Sequence, residues 1–343
     1  MRPTLLGVLT ALVATLLAAP AATAASPRVE SRVGSRGVVF DVENTNATSV
    51  LCAPDNRSYH LRGRLVGPAQ DLDGIGGALR VNVLVHDFGT GGWFWNLAGH
   101  PAYDYATRLA EHGETSLVLD RLGYGTSRLP DGDATCLGAQ ADMLHQVVQH
   151  LASGQYRFTN PDLGTTPAAA HVVTQGHGVG AAIAQVEAGT FDDVDGLVLM
   201  SWTDRGATAL ATRTAARQSR DCAGTDYAPF AATRADFRSL MFATAPAAVQ
   251  RAAASRRSED PCGDVGSLSP FLLASNLAAG KVDAPVLLLY GGQDKLNRAS
   301  ARDAQASSYP TKVTTKIFRG AGSALPLERS ADRVRAAVLR WLG

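Results

Sequence analysis

The stretch VVTQGHGVGAAIA, residues 172–184, leaves a β-like run, bunches three glycines and enters a small-residue helix. A strand–turn–helix bend of this kind can mount a serine nucleophile. Here its central residue is Gly178, which has no side chain to attack with. The bend still sets a helix N-terminus at a pocket floor, leaving the Val179 N–H open to a carbonyl or an anion. Asp294 can serve as a base or a hydrogen-bond acceptor. Ser323 and Asp294 could together imitate a nucleophile and its carboxylate, but an ordinary aspartate is a poor base for a serine hydroxyl. The eight histidines are His60, His86, His100, His112, His145, His150, His171 and His177, so none follows residue 177. The same glycines also satisfy a dinucleotide loop, with Gly176, Gly178 and Ala181 as G-x-G-x-x-G/A. That reading wants an acidic residue at the end of the next strand. Here Asp192, Asp193 and Asp195 precede that strand, which ends in Ser201 and Trp202. No nicotinamide and no other cofactor is expected.

The elements that must position these residues alternate along the chain. Strands are expected at 36–44, 58–67, 79–88, 115–121, 170–176, 195–202, 284–292 and 311–318, the first two as a hairpin-like pair. The later ones are continuous apolar runs, as in strands covered on both faces. Leu137, Ala141, Leu144, Val148 and Leu151 repeat at helical spacing, as do Leu327, Ala331, Val334, Val338 and Trp341. The expected fold class is α/β: one doubly wound domain on a mostly parallel eight-stranded sheet flanked by helices. The alternation breaks at 203–275, too long for an ordinary loop. It reads as a cap or lid inserted between strands six and seven, over the edge where open α/β sheets bind ligands.

Five motifs in this order resemble the α/β-hydrolase superfamily, and more narrowly its secreted bacterial members. They are VHDFGTGGWFW (85–95), YATRLAEHGETSLVLDRLGYGTS (105–127), GHGVG (176–180), LLLYGGQDKLN (287–297) and GAGSALPLE (320–328). The resemblance implies a catalytic triad in the chain order Ser, acid, His. It places Asp294 at the acid, Gly178 at the nucleophile and Ser323 at the histidine. The triad is thus degenerate, with hydroxyl and imidazole both missing from their positions, and ordinary acyl-enzyme chemistry is not expected. After His86, where the family commonly has glycine, stands Asp87. Facing the site, its carboxylate would oppose a developing oxyanion; facing away, it would cap a turn. Val179, His86, Asp87, Phe88, Trp93 and His177 are candidate binding residues, with Phe94 and Trp95 as possible apolar wall. For His86, His177 and Trp95, plain packing is the competing assignment, and for Asp294 it is capping of the following turn.

The N-terminus bounds the setting. Arg2, an apolar run from Leu5 to Ala19 and small residues at 22–24 form an export signal over 1–25. The remaining domain spans 26–343, and no metal cluster or basic block is visible in it. With a net charge of +1, a nucleic-acid partner is not expected. After signal removal no membrane span is expected, and the localisation is secreted or extracellular. The four cysteines form no CxxC pair, so disulfides are expected. Of three possible connectivities, Cys52–Cys136 with Cys222–Cys262 is favoured, because the second bond closes the least regular segment. The implied function is a pseudoenzyme whose pocket binds a small, largely apolar ligand without ester hydrolysis. The alternatives are a non-hydrolytic enzyme (cyclase, isomerase or lyase) with Asp294 as acid–base, and residual hydrolysis by unusual residues.

Overall fold

The apolar runs of the sequence become the centre of a nine-stranded sheet in the structure, a computed structural model that describes residues 32–343. The export signal expected at 1–25 lies outside these residues. The strands are β1 (Val33–Glu43), β2 (Ser58–Pro68), β3 (Arg80–Val85), β4 (Thr115–Asp120), β5 (Arg157–Phe158), β6 (His171–His177), β7 (Gly196–Met200), β8 (Tyr227–Pro229), β9 (Glu259–Pro261), β10 (Val286–Gly291) and β11 (Val313–Phe318). The sheet order is β11-β10-β7-β6-β3-β4-β2-β1-β5, and β8 pairs separately with β9. From β4 to β11 neighbouring strands are parallel, whereas β2 joins β4, and β1 joins β2 and β5, in antiparallel register. All eight expected strands form. The ninth, β5, has only two residues and therefore no pattern a sequence could display.

Alternation divides the core into two layers. Val81, Val83 and Val85 of β3 join Leu117, Leu119, Leu197, Leu199 and Leu288 on one face. Leu84, Val118, Val198, Met200, Leu287 and Leu289 join the opposite face. The helices Leu137–Ser153 and Val179–Phe191 cover the first face, and the helices Tyr105–Ala110 and Ala331–Leu342 cover the second. Leu327, expected within the last helix, lies in a 3-10 turn just before it, where Pro326 and Ser330 interrupt the pattern.

Between β7 and β10 the chain builds the helices Ala209–Asp221, Arg234–Met241 and Ala247–Ser255 and the β8–β9 pair. The helix Leu268–Ala279 then packs on Val179–Phe191, so closely that a Cβ at Gly189 would meet the Ala278 carbonyl at 2.3 Å. This single helix runs across residue 275, the expected end of the insertion. Disulfides join Cys52 to Cys136 and Cys222 to Cys262, with Cα separations of 6.3 and 5.6 Å. Among the described residues no helix is long and apolar enough to cross a membrane.

Candidate active site

The parallel order reverses at β3, which has β4 on one side and β6 on the other. Loops leaving the C-terminal ends of β3 and β6 diverge there, the usual ligand position in such sheets. Gly178 follows β6 and caps the helix Val179–Phe191 with φ 54° and ψ −125°, a conformation open to glycine and strained for other residues. Gly180 lets the first helical turn press against β3; a Cβ there would lie 2.4 Å from the Val85 carbonyl oxygen.

Asp87, from the loop after β3, lies in the space above Gly178. A Cβ built on Gly178 would fall 2.0 Å from Asp87 Oδ2 and 2.1 Å from its Cγ. Asp87 Oδ1 accepts from the Val179 N–H at 2.7 Å and from the Phe88 N–H at 2.8 Å. Two backbone donors on one oxygen are the arrangement that stabilises an oxyanion, and here the chain's own carboxylate fills it. Of the two orientations open to Asp87, the inward one is adopted. The Val179 N–H, expected to be open to a ligand, is already engaged. Burial raises the Asp87 pKa, opposed by the His177 charge and by the two N–H donors.

His177 turns into this site. Its Nε2–H donates to the Ser323 carbonyl at 2.9 Å, and its Nδ1 stands 3.6 Å from Asp87 Oδ2. The Phe94 ring stacks on the imidazole with centroids 4.4 Å apart. Ser323 Oγ lies 3.5 Å from the same Nε2. The loop bearing Ser323 is fixed by buried Glu328, whose carboxylate accepts from the N–H groups of Gly322, Ala243 and Thr244 and from the Thr244 hydroxyl. Asp294 is one step removed. Its oxygens accept from the Leu296 and Asn297 N–H groups and from Asn297 Nδ2, so it closes its own turn. Burial raises its pKa, opposed chiefly by the Asn297 amide. Asn297 also donates to the Ser201 carbonyl, and the Ser201 hydroxyl donates to the Ser323 carbonyl.

Asp87, Gly178, the Phe88 and Val179 amides, His177 and Ser323 thus converge, with Asp294 linked through Asn297 and Ser201. His86 and Trp93 do not join them. The Arg121 N–H donates to His86 Nε2 at 3.2 Å, leaving His86 Nδ1–H for the Asp87 carbonyl at 3.1 Å. Burial first, and the Arg121 charge second, hold the His86 pKa well below the usual imidazole range. Trp93 lines a separate cavity of about 260 Å³ with Asp120, Val118 and Arg64. Trp95 is fully buried against Tyr105 and belongs to the core. Of the other residues in this network, Phe94 was expected only as apolar wall, Asn297 lies within the 287–297 motif with no role assigned, and Ser201 lies outside every motif.

The sequence profile of the alpha/beta hydrolase family matches residues 83–337. No curated protein matches the chain in sequence. Among solved structures, a thermophilic esterase from Thermogutta terrifontis is similar at 19% identity and a TM-score of 0.58, covering 88% of this chain and 98% of the esterase. A hydrolase from Pseudomonas aeruginosa PA01 is similar at 20% identity and a TM-score of 0.56, covering 87% and 98%. A monoacylglycerol lipase from Paleococcus ferrophilus follows at 18% identity and a TM-score of 0.53, covering 76% and 93%. With the sheet order, the bend at Gly178 and the profile match in agreement, the chain belongs to the alpha/beta hydrolase family.

Proposed function

We propose that this chain is an exported, non-catalytic member of its family, in which the degenerate triad no longer hydrolyses esters and the pocket binds a small, largely apolar ligand. One observation carries the loss of chemistry: the Asp87 carboxylate sits where a nucleophile's side chain would begin and accepts both amide donors. An acyl oxygen developing negative charge there would meet a like charge in place of two free N–H groups. The inserted segment acts as the lid. Phe230 and Phe237 approach Gly89 beside this site, and the Gly89 N–H donates to Asp260 of the same segment. Two disulfides and the lack of a spanning helix among the described residues fit an extracellular setting.

The strongest competitor is residual hydrolysis through Ser323. Its Oγ at 3.5 Å from His177 Nε2, with Asp87 on the far side of the ring, sets acid, imidazole and hydroxyl in sequence. Burial of all three and the Nε2–H bond to the Ser323 carbonyl weigh against it. Asp294 as an acid–base is weakened by the engagement of both its oxygens in one turn.

The test uses the exported protein. It should not turn over p-nitrophenyl esters, and a fluorophosphonate should leave Ser323 unlabelled. Native mass spectrometry should find a small apolar molecule bound, with its affinity nearly unchanged in Asp294→Asn. Ester turnover that disappears in Ser323→Ala would overturn the proposal in favour of hydrolysis. Conversion of an apolar substrate that disappears in Asp294→Asn would overturn it in favour of acid–base catalysis.

A further inference from the structure

Away from Gly178, the helices Leu137–Ser153 and Val179–Phe191 pack side by side on one face of the sheet. Near the C-terminal end of the second helix, Asp192 takes a left-handed conformation and turns the chain. This turn brings Asp193 to His145 of the first helix and Glu187 of the second. One ligand atom from each of the three lies within 4.8 Å of the others. His145 Nδ1 is 2.6 Å from Asp193 Oδ2. Its ring is held flat on Phe191, with centroids 3.8 Å apart and planes 8° from parallel.

Glu187 is the informative member. Its side chain is completely buried, yet neither Oε1 nor Oε2 has a hydrogen-bond partner, and Asp193 Oδ1 lacks one as well. Charged carboxylates removed from water without donors cost several kcal/mol unless something neutralises them. Among the described residues no Lys or Arg pairs with either acid; His145 is the one basic partner, and it reaches only Asp193. Two carboxylates with three unsatisfied oxygens therefore face one imidazole.

We propose that His145, Glu187 and Asp193 bind one divalent transition-metal cation, zinc being the representative ion. One imidazole nitrogen with two carboxylates suits zinc and its neighbours, whereas calcium and magnesium prefer all-oxygen sets. The side chains of His145 and Asp193 keep 17% and 25% exposure, which gives an ion and its waters a way in from solvent. The ligands would contract to metal distances of about 2.0–2.2 Å, with His145 Nδ1 exchanging its proton for the ion. A bound ion would clamp the helix that follows Gly178 to its neighbour, a structural role independent of any chemistry at Asp87. The rival occupant is a proton, with Glu187 as a neutral acid donating to Asp193. The ligands come from two helices and a turn, so no short motif announces them.

The whole exported protein, stripped with chelator, is titrated with Zn²⁺ by calorimetry and with Co²⁺ by visible absorption. One ion per chain should bind with proton release, and excess zinc should raise the Tm by several degrees. Glu187→Gln, which keeps the shape and removes the charge, and His145→Gln, at a partly exposed ligand, should each weaken binding more than about 100-fold. Absence of stoichiometric binding by the unaltered chain, or an unchanged affinity in both variants, would overturn the proposal. A Glu187→Gln chain that melts higher without metal, beside an unaltered chain indifferent to zinc, would assign the pair to a shared proton.

Discussion

Gly178 and Asp87 occupy one volume between them, and each is intelligible only with the other. Gly178 and Ser323 were both legible in the sequence as standing where the family resemblance expects the nucleophile and the histidine. The orientation of Asp87 was not, because it depends on how the loop after β3 meets the start of a distant helix. The pair is testable by a double-mutant cycle. Gly178→Ser places a Cβ at 2.0 Å from Asp87 Oδ2 on a backbone with φ 54°, and should cost about 2–5 kcal/mol from overpacking and strain together. Asp87→Gly alone should also destabilise, by leaving the Val179 and Phe88 N–H groups buried and unpaired. In the double variant the loss should be smaller than the sum by more than ~1 kcal/mol, since the clash disappears with the carboxylate. Thermal or urea unfolding of the four chains gives the coupling, and strict additivity would show that the two residues do not compete for the same space.

The loop after β4 and the inserted segment are joined by buried polar groups rather than by apolar packing alone. Arg121 donates to Asp264 at 3.0 Å and lies over the Tyr124 ring, while Gln140 also donates to Asp264. Asp260 accepts from the Gly89 N–H at 2.7 Å and from Gln218 at 2.6 Å. Burial raises Asp260 to about 7, opposed first by the Gly89 N–H, and Asp264 to about 6, opposed first by the Arg121 charge. Each is then protonated in the folded chain at pH values where the unfolded chain has already lost its proton. Their contribution to stability is therefore present at low pH and lost as pH rises from about 4 through about 7, with a slope of at most ~1.4 kcal/mol per pH unit for each group. Asp260→Asn removes one such titration. Its Tm relative to the unaltered chain should climb between pH 5 and pH 8, whatever fixed cost the amide carries. A Tm difference constant across that range would place the folded-state Asp260 pKa below it, close to its unfolded value. The strands on either side of this junction were readable from their apolar runs. The junction was not, because isolated acids in an irregular stretch look the same whether solvated or buried.

The cysteine pairing joins parts of the molecule that no local pattern connects. Cys52–Cys136 ties the loop after β1 to the start of the helix Leu137–Ser153, across a separation of 84 residues. Cys222–Cys262 ties the end of the helix Ala209–Asp221 to the residues after β9, across 40. Loop closure of these lengths is worth about 4 kcal/mol each in chain entropy. Replacing Cys222 and Cys262 by serine should lower the Tm and speed amide exchange in 209–229 and 259–266, with β3, β6 and β7 still protected. Equal acceleration in the central strands would mean that the inserted segment and the sheet unfold as one unit. The order of strands and helices, and the family they belong to, were set by period and by the succession of motifs, because apolar runs bounded by glycine-rich turns are local signals. Which oxygen fills the donors at Val179 and Phe88, which histidine reaches Ser323, and which acids lose water at Glu187 and Asp260 were decided only on folding. Each depends on a close approach between segments far apart in the chain, and desolvation acts on the groups that meet there, not on the letters that spell them.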